Sequence, residues 1–85
     1  SFTKNVMMDI SAATKQKITE LNIEGTPYSH IPVGLNNLKH FNIARCKIGD
    51  FHALLRIKSL ETFTISKNQV PSSILTKLRC KIIEK

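Results

Sequence analysis

One spacing constrains this chain more than any other property: an apolar frame that returns three times. Leu38, Phe41, Ile43 and Ile48 stand in the same relative positions as Leu60, Phe63, Ile65 and Val70, 22 positions further on (60 less 38). Upstream, Ile18, Leu21, Ile23 and Tyr28 occupy the frame 20 positions earlier (38 less 18). Self-similarity at a period of roughly 20 to 50 residues marks units that cannot bury an apolar face alone and do so against their neighbours. Within each copy, two apolar residues lie two apart, and successive side chains on a strand face opposite ways. The frame therefore predicts one short strand per copy, with Leu21 and Ile23, Phe41 and Ile43, and Phe63 and Ile65 turned inward. Their neighbours form outward columns: Glu20, His40 and Thr62; Asn22, Asn42 and Thr64; Glu24, Ala44 and Ser66. Gly25, Arg45 and Lys67 flank them.

Written out, the frame is L-x-x-L-x-L-x-x-N/C-x-L, and over residues 18–74 the chain resembles a leucine-rich repeat protein. The resemblance implies an α/β solenoid, a right-handed superhelix with a short parallel sheet on its concave side and helical, 3₁₀ or extended turns on its convex side. Phe51, Leu54 and Ile57, every third residue between the second and third copies, fit the helical or 3₁₀ kind of turn. Ile31 to Leu35 and Val70 to Ile74 fit a shorter I-P-x-x-L turn. In this family the ninth position turns the chain out of its strand and points inward to bond the turn's backbone. The resemblance thus assigns Thr26, Cys46 and Asn68 to a structural ladder and makes Cys46 an inert rung, since a thiol tolerates burial and is a weak donor. Residues 1–17 are expected to form an N-terminal helical cap or truncated repeat, with Met7 and Met8 plugging the core end. Residues 75–85 are expected to be a C-terminal cap or an incomplete repeat, whose strand would carry Ile82 and Ile83.

Composition narrows the remaining choices. The chain has 85 residues, enough for one small domain, and 13 Lys+Arg against 6 Asp+Glu give a net charge of +7. The cations are scattered, concentrated only between Lys77 and Lys85, with no block of like charge that would form a basic arm. Two cysteines, Cys46 and Cys80, are too few for a disulfide framework and favour a reducing compartment. No apolar run approaches the roughly 20 residues that cross a bilayer, and no leader is visible. A cytoplasmic location without membrane insertion is expected. The chain begins at Ser1 rather than Met, as a processed chain or a fragment of a larger protein would.

Catalysis needs convergent acids, bases, nucleophiles or metal ligands. The frame sends His30 to a turn, His40 to the exposed strand face and His52 to the convex side, so no shared metal is expected. Glu20 and Glu24 share a face, but four residues of strand separate them by roughly 13 Å, beyond the spacing of paired catalytic carboxylates. No phosphate loop, nucleophile elbow or dinucleotide fingerprint occurs. The expectation is a protein without catalytic residues, metal or cofactor, binding a protein partner through its concave face. Glu20, Asn22, Glu24, His40, Asn42, Arg45, Thr62, Thr64, Ser66 and Lys67 are the expected contact residues. The alternatives are a basic binder of nucleic acid or acidic surfaces, and an assembly subunit, or the recognition fragment of a larger protein, that pairs with itself or another chain through an open sheet edge.

Overall fold

The computed structural model describes residues 15–31 and 34–85. The N-terminal cap expected over residues 1–17, with Met7 and Met8, falls almost wholly outside the described residues, as do Pro32 and Val33 of the first I-P-x-x-L turn. Four strands, β1 (Glu20–Asn22), β2 (His40–Asn42), β3 (Thr62–Ile65) and β4 (Lys81–Glu84), form one parallel sheet in the order β1-β2-β3-β4. The expected register is found. Leu21 pairs with Phe41, Phe41 with Phe63, and Phe63 with Ile82 of the fourth strand.

Parallel neighbours require a crossover between strands. Between β2 and β3 it carries a 3₁₀ turn, His52–Arg56, in which Leu54 is fully buried. The Leu54 amide donates to Phe51 O (3.0 Å) and the Ile57 amide to Leu54 O (3.1 Å), the three-residue step that the Phe51, Leu54, Ile57 spacing prescribes. Between β3 and β4 the crossover carries one helical turn, α1 (Ser72–Leu75), begun by Pro71 at φ −58°, a backbone angle preset for helix entry. Neighbouring crossovers are tied by Ser59, whose hydroxyl donates to Leu38 O (2.6 Å) and Asn36 O (3.1 Å).

The core is a stack of layers made by equivalent positions. Leu21, Phe41 and Phe63 form one rung, Ile23, Ile43 and Ile65 the next, and Leu38, Leu54 and Leu35 close the layer beneath; each is at most 2% exposed. The Phe41 and Phe63 rings meet at 5.9 Å with a 35° tilt, the offset arrangement that aromatic quadrupoles prefer. All buried residues among those described are apolar.

The turns that leave the strands correct one expectation. The amides of Thr26, Cys46 and Gln69 donate to Ile23 O, Ile43 O and Ser66 O, each at 3.1 Å. Gln69, not Asn68, is therefore the third equivalent of Thr26 and Cys46. Left-handed backbone precedes each one, at Gly25 (φ 72°), Arg45 (φ 63°) and Asn68 (φ 62°). Asn68 is exposed and supplies that backbone angle, which Asn tolerates better than most residues. The physical reason is one extra residue: β3 runs four residues where β1 and β2 run three, so the turn slips by one. The longer Gln69 side chain makes up the difference. Its Nε2 donates to Ile43 O (2.8 Å) and Cys46 O (3.0 Å), and its Oε1 accepts from the Ser66 amide (2.8 Å). Thr26 Oγ1 and Cys46 Sγ both donate to Ile23 O, at 2.7 and 2.9 Å. Ala44, expected to face outward, is fully buried.

Candidate functional site

The strands' outward positions build a polar face in two rows. Glu20, His40, Thr62 and Lys81 lie side by side along one, and Asn22, Asn42, Thr64 and Ile83 along the other. Glu20, Asn22, His40 and Lys81 are exposed, while Asn42, Thr62 and Thr64 are half-buried. A shallow depression of about 260 Å³ opens over the middle of this face, bordered by Glu20, Asn22, His40, Asn42, Thr62 and Thr64 with Leu21 and Phe41 beneath. The sheet thus gathers six of the ten expected contact residues around one hollow.

Hydrogen bonds fix several of these side chains in place. His40 Nδ1 and Thr62 Oγ1 share one at 2.7 Å. Asn22 Oδ1 accepts from the Glu24 amide (2.9 Å) and Asn42 Oδ1 from the Ala44 amide (3.0 Å), so both asparagines close the turns that end their strands. Asn42 Nδ2 also donates to Glu24 Oε1 (2.9 Å). Lys85 Nζ donates to the same carboxylate oxygen at 2.7 Å. Glu24 follows β1 and Lys85 follows β4, the two edges of the sheet, which lie roughly 14 Å apart at ordinary strand spacing. Their ion pair is a clasp across the rim of the face. The Lys85 ammonium, then the Asn42 amide, hold the Glu24 carboxyl below its ordinary value.

Arg45, Ser66 and Lys67 are placed differently. Arg45 and Lys67 are exposed in the turns beyond the strands, and Ser66 Oγ accepts from the Arg45 amide (2.8 Å), tying two turns together at the edge of the face. The sequence reading placed Ile82 and Ile83 on a further strand but left Lys81, Ile83 and Lys85, which extend the face, out of the contact residues. Ile83, 38% exposed, is its one large apolar group among the described residues. Their strand was hard to register because Leu78 stands four residues ahead of Ile82, where Leu60 stands three ahead of Phe63. Arg79 and Glu84 then occupy positions that hold Leu60 and Ile65 in β3's copy.

The remaining groups lie away from the face. His52 donates its amide to Asp50 Oδ1 (3.0 Å) and its ring Nδ1 lies 2.8 Å from the same oxygen, holding the Asp50 carboxyl below its ordinary value. His30 forms a parallel bridge with Asp50. The crossovers therefore set the His30 backbone beside that of Asp50, whose carboxylate bonds His52. Tyr28 packs half-buried against the core, and its hydroxyl is buried without a partner among the described residues. Cys80 is half-buried, and desolvation raises its thiol pKa. Among the described residues, no group of three or more His, Cys, Asp or Glu could hold a metal ion, and no helix is long and apolar enough to cross a membrane.

The face is a polar surface with several side chains fixed by hydrogen bonds and one exposed apolar group, Ile83, at its β4 end. No family model, curated protein or solved structure matches the chain.

Proposed function

We propose that this chain is a short array of the leucine-rich repeat type that binds a protein partner through its strand face and carries out no catalysis of its own. The observation that supports this reading is the division of labour along each strand. Leu21, Phe41 and Phe63 are at most 2% exposed and hold the sheet, while Glu20, Asn22, His40, Asn42, Thr62 and Thr64 on either side of them open to solvent. Positions such as Glu20 and Thr64, whose side chains make no hydrogen bond among the described residues, can be matched to a partner with little loss of stability, which is how repeat arrays use their strand faces. The face is polar, so hydrogen-bond complementarity rather than apolar area would carry recognition, with Ile83 as its apolar anchor.

The test is affinity capture with the intact chain beside a variant carrying Glu20→Arg and Thr64→Arg. Neither side chain makes a hydrogen bond among the described residues, so the variant keeps its fold while adding bulk and charge over the depression. Partners captured by the wild type and lost from the variant support the reading. Equal capture by both proteins moves the docking site off the strand face.

A further inference from the structure

On the crossover side, away from the strand face, the 3₁₀ turn and the connection from α1 to β4 stand apart and leave an open groove of about 570 Å³. Its floor is aliphatic: Leu54 and Leu60 are buried, and Leu55, Ile57 and Leu78 are half-buried, with Cys80 at one end. Its rim is cationic. Lys58 stands on one wall and Lys77 and Arg79 on the other, all three exposed, and among the described residues no carboxylate lines the groove. Among the described residues, Glu24, Asp50 and Glu61 are already paired with Lys85, His52 and Lys39, and no ion pair reaches the three rim cations.

We propose that this groove binds an extended acidic segment of a partner protein, its aliphatic side chains on the floor and its carboxylates against Lys58, Lys77 and Arg79. Charge complementarity argues for the occupant, because three exposed cations border one aliphatic floor with no counter-charge among the described residues, which favours an anionic amphipathic ligand. An extended chain meets both demands, since alternate side chains point down to the floor and up to the rim. A single nucleic-acid strand fits less well, because among the described residues no aromatic ring lines the groove for bases to stack on. A membrane fits less well too, because these leucines line a recess, whereas interfacial binding needs an apolar face that protrudes into the lipid. An acyl chain needs fuller enclosure than an open groove gives.

The test uses a fluorescent peptide of alternating glutamate and leucine, followed by anisotropy with the whole chain. Expected results are saturable binding that weakens with salt, no binding of the lysine-and-leucine counterpart, and slower alkylation of Cys80 when the peptide is bound. Lys58→Glu with Lys77→Glu should weaken binding about tenfold or more. Lys17→Glu with Lys47→Glu, the same change in net charge at exposed sites outside the groove, should have little effect. The Glu20→Arg, Thr64→Arg variant should bind as the wild type does, which separates this groove from the strand face. The proposal is overturned if the two charge-reversed pairs weaken binding equally, if a peptide of glutamate alone binds as tightly, or if the peptide fails to bind. Failure of the peptide alongside binding to phosphatidylserine vesicles would assign the groove to lipid instead.

Discussion

At the scale of single residues, the ends of the strands depend on polar side chains that replace missing backbone partners. Gln69 satisfies two carbonyls and one amide from its position in the third turn, whereas its neighbour Asn68 contributes only a left-handed backbone angle. Gln69→Ala is therefore expected to lower stability by about 2 kcal/mol, three half-buried bonds being lost at once. Asn68→Gly should change it by less than about 0.5 kcal/mol, because glycine adopts the same angle freely. Urea unfolding of the two variants decides between these positions. The thiols differ in the same local way. Cys46 is buried with its sulfur bonded to Ile23 O, and Cys80 is half-buried at the groove. Alkylation of the native protein, followed by peptide mass mapping, should modify Cys80 first. It should do so more slowly than an ordinary exposed thiol, because burial raises its pKa.

At the scale of elements, each strand is only three or four residues long and is held by its neighbours rather than by its own length. The stacked Phe41 and Phe63 link β2 to β3, and Phe63 is fully buried. Phe63→Ala is expected to remove about 3 to 5 kcal/mol, a large part of what a small domain possesses, and to leave the chain largely unfolded by circular dichroism at 37 °C. The outer strand β4 has a different problem. It pairs only with β3, and an unpaired edge invites another strand. Lys81 and Glu84, both exposed, place charge along that edge, a common protection against strand addition. Lys81→Val with Glu84→Val should convert a concentration-independent light-scattering mass into one that rises with concentration. An unchanged mass would show that these charges do not guard the edge. The hidden register of β4 has the same origin as its charges: Arg79 and Glu84, both exposed, stand where the preceding strand's segment has the buried Leu60 and Ile65.

Across the whole molecule, the Glu24 and Lys85 clasp joins the two edges of the sheet, from residues 61 positions apart in the chain. The Glu24 pKa is depressed by its bond to Lys85 and then by Asn42, so its folded value lies below its unfolded one. A depressed carboxyl stabilises the fold above the unfolded pKa, and that contribution disappears as pH falls through the folded value. The melting temperature of the wild type should exceed that of Glu24→Gln by a constant amount from neutral pH down to about 5, and the two should converge below about pH 4. Equal melting temperatures of the two proteins at neutral pH would mean the clasp contributes nothing measurable. Because the clasp crosses the rim of the strand face, a partner seated there would have to fit beside it.

The spacing of Leu21, Phe41 and Phe63 determined the register of the first three strands and which side chains line the polar face. It could do so because inward and outward positions alternate strictly along a strand, and apolar residues report directly which side is buried. The same spacing could not locate the extra residue in β3, so it placed Asn68 in a rung that Gln69 fills and turned the buried Ala44 outward. Those outcomes depend on which backbone carbonyls lack partners after the sheet has formed. The clasp between Glu24 and Lys85, the backbone bridge between His30 and Asp50, and the groove between Lys58 and Arg79 join residues distant in the chain. Their proximity follows from how far each crossover folds back against the next, a packing outcome that no local pattern of polar and apolar residues encodes.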